Sequence, residues 1–181
     1  SILLRLSLLS MLVMLCSGGL LAALANVNED TKLIDFPTSD EGISANGTTE
    51  RTTVSNLPAY VLKNGYTGNN VGNNIGLAVE GGFKAGDVVT VAGFINKTDK
   101  RATVVLFKAD AVDGTPTNIK KFEDFVNFAD GSTADDIVEQ SYTLEADYDN
   151  LYLGRDGGTG CNVTVIRVTR AGSGTGGGET Q

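Results

Sequence analysis

Short apolar runs separated by turn residues recur about every eight to twelve positions from Thr31 onward. This rhythm is typical of a β-sandwich or barrel, and no long amphipathic helix competes with it. The clearest alternation begins at Val138, where Val138, Tyr142 and Leu144 alternate with polar positions and predict a strand with one solvent face. The predicted strands are Lys32–Phe36, Arg51–Asn56, Tyr60–Asn64, Ile75–Glu80, Asp87–Asn96, Ala102–Ala109, Val138–Leu144, Asn150–Leu153 and Asn162–Arg170.

Two stretches within these strands, Val88–Ile95 and Thr103–Phe107, are apolar at both odd and even positions. Since a strand with two apolar faces is covered on both sides, both are predicted to be central strands, or strands whose outer face contacts something else. Phe122, Phe125 and Val126 lie instead at helical spacing and predict a short helical turn at an open end of the sandwich. The predicted fold class is all-β, a two-sheet antiparallel β-sandwich of the jelly-roll kind.

The first 25 residues are organised differently. They carry one charge, Arg5, followed by an almost unbroken apolar run that ends in Ala23-Leu24-Ala25. A short charged start, an apolar centre and small residues at the cleavage point are typical of a secretory signal peptide, here a helix at residues 1–25. The run is also long enough to span a bilayer, so an uncleaved anchor is the alternative and the only membrane contact that we expect. We therefore expect the protein to be secreted or held at the cell surface.

The remaining chain divides into one domain and one linker. Residues 26–171 form the predicted β-sandwich module, a length that suits one hydrophobic core. Residues 172–181 are rich in Gly, Ser and Thr, which is the composition of a flexible linker. We expect further domains of the same polypeptide after Gln181.

The composition excludes several kinds of site. The chain has no His, and Cys161 is the only Cys after residue 25, so a zinc site, a Ser-His-Asp relay and a Cys-His dyad are excluded. A formal net charge of −8 argues against a nucleic-acid partner, which needs a basic surface.

Acidic residues do not indicate catalysis either. Asp147 and Asp149, like the other neighbouring acids, lie too close in sequence to define an acid/base pair with two environments, as a glycosidase or lyase would need. The sequence therefore predicts neither an enzyme nor a cofactor. The alternative is a structural calcium ion held by loop oxygens, which would draw on Asp30, Asp35, Asp147 or Asp149.

Six residues are candidates for binding a ligand: Tyr66, Asn69, Asn70, Tyr148, Arg155 and Asp156. Sugar sites on β-sandwiches combine an aromatic ring with planar polar side chains. The two Tyr residues lie in turn-rich stretches where a ring can be exposed, the two Asn residues belong to an Asn-rich run, and the last pair stands at the mouth of a Gly-rich loop. The structural alternative is that the Tyr rings are packed and that the Asn residues only form turns.

The same Gly-rich loop, residues 157–160, has a structural interpretation. Cys161, Val163 and Val165 are apolar and alternate with polar residues, so Cys161 is predicted to point into the core as a buried thiol. Beyond Val165 the apolar positions change parity, which predicts a bulge or a strand that is buried on both faces. The loop is then mainly a reversal between the last two strands.

Two long stretches carry a family resemblance. "VEGGFKAGDVVTVAGFINKTDKRATVVLF" (Val79–Phe107) and "QSYTLEADYDNLYLGRDGGTGCNVTVIRVTR" (Gln140–Arg170) resemble β-sandwich modules of secreted, multi-domain proteins of gut Bacteroidetes such as Bacteroides and Prevotella, which often accompany glycan-degrading domains. The second stretch is also similar to jelly-roll carbohydrate-binding modules of the galactose-binding-like type. The resemblance carries over no catalytic residue.

The resemblance implies a non-catalytic extracellular accessory module that binds polysaccharide weakly within a larger glycan-targeting protein. The alternative is a structural spacer or adhesin module of a surface protein, with no small-molecule ligand. A binder should show an exposed Tyr beside convergent polar groups, whereas a spacer should show only scattered polar loops.

Overall fold

The computed structural model of the chain describes residues 30–67, 71–129 and 131–172. The predicted signal peptide, Asn69, Asn70 and residues 173–181 of the predicted linker lie outside this described part. Within it, no helix has the length and apolar character needed to cross a membrane.

Strands account for nearly all regular structure in the described residues. They are β1 (Thr31–Phe36), β2 (Ile43–Ala45), β3 (Glu50–Val54), β4 (Leu57–Leu62), β5 (Ile75–Leu77), β6 (Val88–Phe94), β7 (Ala102–Lys108), β8 (Thr117–Phe125), β9 (Glu139–Thr143), β10 (Leu151–Asp156) and β11 (Cys161–Arg170). One short 3-10 turn, Ala134–Asp136, lies between β8 and β9.

The strands form two sheets. Sheet A has six strands in the order β3-β4-β11-β6-β9, and β1 also pairs with β11; sheet B has five strands in the order β2-β5-β10-β7-β8. The neighbours along each order pair in antiparallel fashion. The predicted all-β, two-sheet antiparallel sandwich is therefore confirmed.

The core lies between the two sheets. Val89 and Val91 of β6 face Val104 and Leu106 of β7 across the interior, within one cluster of buried apolar side chains. The prediction that β6 and β7 are covered on both faces is confirmed for most of β7 and for the end of β6, where outward residues such as Val105 and Phe94 are buried. At the start of β6, the outward residues Val88 and Thr90 are only half-buried. Burial of each large apolar side chain contributes about 1.5–3 kcal/mol, and this packing holds the sandwich together without a disulfide among the described residues.

The predicted helical turn around Phe122 is wrong. Phe122 and Phe125 belong to strand β8, and both are buried although they are three residues apart. The pairing of β8 with β7 shifts register twice, and Asp124 adopts a left-handed backbone with φ of 63°. Because each irregularity breaks the two-residue period of a strand, two core residues come to lie at helical spacing.

Two further differences concern short strands. The three-residue strand β2 has no counterpart among the predicted strands, since three residues are too few to show an alternation. Val138 was expected to begin the core face of a strand, but β9 begins at Glu139 and Val138 is 73% exposed. Tyr142 and Leu144 do pack against the core, as the alternation predicts.

The last two strands follow the prediction closely. Gly157 has a φ of 84° and turns the chain between β10 and β11, so the Gly-rich loop is a reversal. Cys161 is fully buried in the core, and burial raises the pKa of its thiol to about 12. The pairing of β11 with β6 shifts register between Val163 and Val165, which is the predicted bulge.

Candidate functional site

The outer face of sheet B carries a stack of three aromatic rings. Phe107 of β7 stacks on Tyr152 of β10 with 5.4 Å between ring centroids and 22° between planes. Tyr66 also stacks on Phe107, with 4.6 Å between centroids and 17° between planes. Together with Val105, these residues form a buried cluster separate from the core between the sheets. We call Tyr66, Phe107 and Tyr152 the aromatic row.

Tyr66 is buried rather than exposed. Only 1% of the residue is accessible, and its hydroxyl donates a hydrogen bond of 2.6 Å to Oδ1 of Asn118. The ring lies directly on the backbone of Gly154, where an added Cβ atom would be 2.5 Å from Cγ of Tyr66. Burial raises the pKa of the Tyr66 hydroxyl, and the nearby negative charge of Asp156 adds to the rise. The expectation of an exposed Tyr66 ring is therefore corrected.

A buried Asn ties two loops together above the same face. Asn74 lies two residues before Gly76 of β5 and is fully buried. Its amide nitrogen donates to the carbonyl oxygens of Val71 at 3.1 Å and Val112 at 3.0 Å. Its Oδ1 accepts a hydrogen bond of 2.8 Å from Asn46. Since these contacts join the β4–β5 loop to the β7–β8 loop, they close part of the sheet face to solvent.

Arg155 and Asp156 lie next to each other in sequence but on opposite faces of β10. Asp156 is on the outer face, where Lys121 of β8 forms an ion pair of 2.6 Å with it and gains a raised pKa from this bond. Arg155 pairs with Val104, whose side chain is in the core. Burial lowers the pKa of Arg155, and its Nε atom has no hydrogen-bond partner among the described residues. The two side chains therefore cannot contact the same ligand on one face of the sheet.

Tyr148 lies at the other end of sheet B, far along the strands from Asp156. Its backbone pairs with Phe83 through hydrogen bonds of 2.8 and 3.0 Å, and its half-buried ring packs partly against the core. Beside it is a polar cleft of about 600 Å³, which we call the loop cleft. Its lining residues are Lys108, Ala109, Asp110, Thr115, Thr117, Asp147, Tyr148, Asp149 and Asn150.

The topology explains why these residues meet. Strand β10 runs antiparallel to β7, so the residues that precede Leu151 come to lie beside those that follow Phe107. The start of β8 at Thr117 pairs with Lys108 and completes the cleft. Most of the lining was missed from the sequence, because its residues come from two loops that only the strand order brings together.

Only some of the charged side chains of the cleft have partners among the described residues. Asp147 accepts hydrogen bonds of 2.9 Å from the backbone of Ala85 and 3.0 Å from Lys84, and these contacts hold its pKa below the ordinary value. Asp110 and Asp149 are exposed and form no ion pair with the described residues. No group of three or more acidic or Cys side chains in the described chain is arranged to hold a metal ion.

Of the six candidate residues, the structure brings together Tyr66 and Asp156 at one end of the outer face of sheet B. It places Tyr148 separately, in the loop cleft, and turns Arg155 away from both. Asn69 and Asn70 lie outside the described residues.

Comparisons with known proteins find similarity in structure alone. No protein-family model matches the chain, and no curated protein matches it. Among solved structures, the CBM22-1 and GH10 modules of endo-1,4-β-D-xylanase 10B from Clostridium thermocellum, complexed with xylohexaose, are 13% identical with a TM-score of 0.50. This match covers 80% of the present chain and 29% of the xylanase chain.

Two other structures are similar at the level of single modules. The C-terminal family 22 carbohydrate-binding module of the same xylanase is 12% identical with a TM-score of 0.50, over 77% of this chain and 91% of that one. The tandem CBM22-1 and CBM22-2 domains of Xyn10C from Paenibacillus barcinonensis are 11% identical with a TM-score of 0.52, over 86% of this chain and 50% of that one.

These comparisons establish a fold. At such low identity, a shared sandwich does not transfer a ligand or a site. The resemblance to carbohydrate-binding β-sandwich modules is thus confirmed for the architecture, whereas the expected Bacteroidetes lineage stays a prediction.

Proposed function

We propose that this chain is a non-catalytic, exported carbohydrate-binding module that takes a glycan in the loop cleft. The observation that carries the proposal is the cleft itself, where the ring of Tyr148 and a set of exposed hydrogen-bonding side chains converge at one end of sheet B. A volume of about 600 Å³ falls within the range of small-ligand sites. The architecture shared with family 22 carbohydrate-binding modules supports the same conclusion.

The chemistry of the lining suits sugar hydroxyls. Carboxylates such as Asp149 accept hydrogen bonds from hydroxyl groups, and charge-assisted bonds of this kind are stronger than neutral ones. The hydroxyl of Thr117 and the amide of Asn150 both donate and accept, and the ammonium of Lys108 donates only. Tyr148, which is half-buried, adds an aromatic residue to the lining beside these groups. A glycan can therefore bind by direct hydrogen bonds and ring contact.

One carboxylate of the cleft supports a non-catalytic role. Hydrolysis of a glycosidic bond needs one carboxyl group that keeps its proton near neutral pH and a second one that is ionised. Asp147, the most constrained acid of the cleft, has a pKa held below the ordinary value, which suits an ionised structural anchor for Lys84. The similar family 22 module is likewise named for carbohydrate binding.

Export is part of the proposal. The charged start, apolar run and Ala-Leu-Ala tripeptide of residues 1–25 support a signal peptide that delivers the module to the cell surface or medium. There, a binding module would hold a larger polypeptide near its polysaccharide. The xylohexaose bound in one of the similar structures makes xylans the first polysaccharides to test.

A spacer role is the second candidate, and one observation favours it. The exposed large apolar residues of the described chain are Val112, Val126 and Val138, none of them aromatic. Sandwich modules that bind flat polysaccharide surfaces need an exposed aromatic platform. A module that only separates other domains would need neither platform nor cleft.

A glycan array with the full chain separates the two functions. We expect the protein to bind at least one polysaccharide of a panel that includes xylans and other plant, mucin and microbial glycans. Asp149→Asn should weaken that binding at least tenfold, whereas the matched control Asp99→Asn, in the hairpin between β6 and β7, should leave it unchanged. Absence of binding across the whole panel would overturn the carbohydrate proposal and leave the spacer.

A further inference from the structure

The loop cleft and the aromatic row lie on one continuous strip of sheet B. Ala109 lines the cleft and also packs against the aromatic row. Asn118, which accepts the hydrogen bond from Tyr66 of the row, directly follows Thr117 of the cleft. A glycan held in the cleft would therefore extend, if it continued along the strands, onto the outer face of the sheet.

The ring of Tyr66 covers part of that face, at a place where a ligand ring could otherwise bind. Its ring is nearly parallel to the ring of Phe107, and it lies on a flat stretch of backbone because Gly154 has no side chain. Its hydroxyl reaches Asn118, and the charged pair of Lys121 and Asp156 stands nearby. A flat aromatic face beside an amide and charged groups is the usual composition of a sugar site, and a phenol ring and a pyranose ring are six-membered rings of similar breadth.

The position of Tyr66 is well fixed. The residue before it, Gly65, forms a parallel bridge with Arg155 of β10, and Asn64 donates a hydrogen bond of 2.9 Å to Thr48. The ring thus lies in the slot between Phe107 and Gly154 as part of the folded chain. A glycan could enter this slot only by displacing a covalently tethered ring, whose effective concentration is high.

We propose that Tyr66 is a specificity-determining residue, which fills the slot between Phe107 and Gly154 on sheet B and confines a bound glycan to the loop cleft. The inference rests on the proposed function and refines it. The native module then recognises a short stretch of glycan, and sugar units beyond the cleft add nothing to its affinity. Without the Tyr66 ring, the buried Phe107 face becomes available to further units of the same chain, beside Asn118, which is already exposed.

The test compares affinity with ligand length. Xylo-, cello- and manno-oligosaccharides from dimer to hexamer are titrated calorimetrically into wild type, Tyr66→Ala and Tyr66→Phe. Wild type and Tyr66→Phe should show affinity that stops rising at short oligosaccharides. Tyr66→Ala should continue to gain, with at least a tenfold preference for the hexamer over the trimer. A purely structural role of Tyr66 would weaken all lengths equally.

A second probe does not depend on glycans. Phenol should bind Tyr66→Ala and not Tyr66→Phe, because an apolar slot left by truncation takes a small ring of matching shape. If Tyr66→Ala does not fold, Tyr66→Val provides the alternative, because it also removes the ring and leaves Gly154 unchanged beneath the slot.

The outcomes separate the two proposals. If Tyr66→Ala binds phenol but keeps the wild-type length profile, the slot is no sugar subsite and the inference is overturned, while glycan binding in the cleft stands. If Tyr66→Ala neither binds phenol nor changes the profile, the slot closes on truncation and the inference is likewise overturned. If no variant binds any glycan, the proposed function fails and the inference fails with it.

Discussion

Arg170, the last residue of β11, donates two hydrogen bonds to the buried carboxylate of Asp87. Its Nε lies 2.8 Å from Oδ1, and its Nη2 lies 2.7 Å from Oδ2. Nη2 also donates to the carbonyl oxygen of Gly82 at 3.0 Å, and the backbone N–H of Lys84 donates to Asp87 at 2.8 Å. Because Asp87 is only 1% exposed, this clamp ties the end of the final strand to the loop before β6.

Breaking the clamp should destabilise the sandwich. Arg170→Met leaves a buried carboxylate without its partner, which typically costs about 3–5 kcal/mol. The side chain of Arg170 is 34% exposed, so we expect a smaller loss of about 2–3 kcal/mol in the free energy of unfolding. Urea denaturation at pH 7 measures it. Lys32→Met, which removes an exposed ion pair with Asp35, is the control and should cost less than about 0.5 kcal/mol. Equal losses in both variants would contradict the role of the clamp.

The same pair predicts how stability depends on pH. Burial alone would raise the pKa of Asp87, but the hydrogen bonds from Arg170 and Lys84 and the charge of Arg170 outweigh burial and hold it below the ordinary value. Because the pKa of Asp87 is lower in the folded than in the unfolded protein, its ionised form stabilises the fold at pH values above the unfolded pKa of about 3.9. This stability is lost as the pH falls through the folded pKa. The destabilisation caused by Arg170→Met should therefore shrink below about pH 4. A penalty that stays constant from pH 7 to pH 2 would refute this linkage.

Gly154 is expected to be intolerant of a side chain. An added Cβ would lie 2.5 Å from Cγ of Tyr66, so Gly154→Ala should cost about 1–3 kcal/mol through overpacking. In a Tyr66→Ala background the same change should cost much less, because the two residues are in contact and their effects are not additive. Gly158→Ala, where an added Cβ meets nothing within 4 Å, is the matched control. Thermal unfolding of the four variants gives the coupling, and simple additivity would mean that Tyr66 does not lie on Gly154.

Asn74 should be the most sensitive polar residue of the loops above sheet B. Asn74→Ala leaves the carbonyl oxygens of Val71 and Val112 and the amide of Asn46 without their partner. Since each buried group left unpaired costs about 1–3 kcal/mol, and water can reach some of them, we expect a total loss of about 2–4 kcal/mol. Asn96→Ala, in an exposed turn, should be nearly neutral. A neutral result for Asn74→Ala in chemical denaturation would show that the loops are joined in another way.

The thiol of Cys161 should be unreactive in the folded protein. Burial raises its pKa to about 12, so the thiolate that reacts with alkylating agents is scarce and shielded at pH 8. Iodoacetamide labelling followed by peptide mass spectrometry should find Cys161 modified only after denaturation. Rapid modification under native conditions would place the side chain outside the core.

The sequence predicts the fold where burial follows a simple period. Tyr142 and Leu144 alternate with polar neighbours and both pack against the core, and strand β9 is found, although it ends at Thr143. Phe122 and Phe125 mislead because one register shift and the left-handed Asp124 lie between them and change the spacing of these core residues in β8. A bulge leaves a spacing of three that a single sequence cannot distinguish from a helical turn.

The candidate site was less predictable for a related reason. Tyr148 was chosen from its turn-rich surroundings and does line the cleft, but Lys108 and Thr117 join it only through the pairing of β7 with β8 and β10. Tyr66 has equally turn-rich surroundings, and yet its ring is buried, because Gly154 opens a slot beneath it. Turn composition indicates where a chain reverses, and it does not indicate which side chains the reversal covers.

The central claim is that a glycan binds in the loop cleft, and amide chemical-shift mapping tests it most directly. Uniformly ¹⁵N-labelled protein is titrated with the oligosaccharides of the best glycan on the array. We expect the largest shifts at the amides of Lys108, Thr117, Asp149 and Asn150, with those of the distant hairpin between β3 and β4 unchanged. Shifts confined to residues outside the cleft, or no shifts at saturating glycan, would contradict the account.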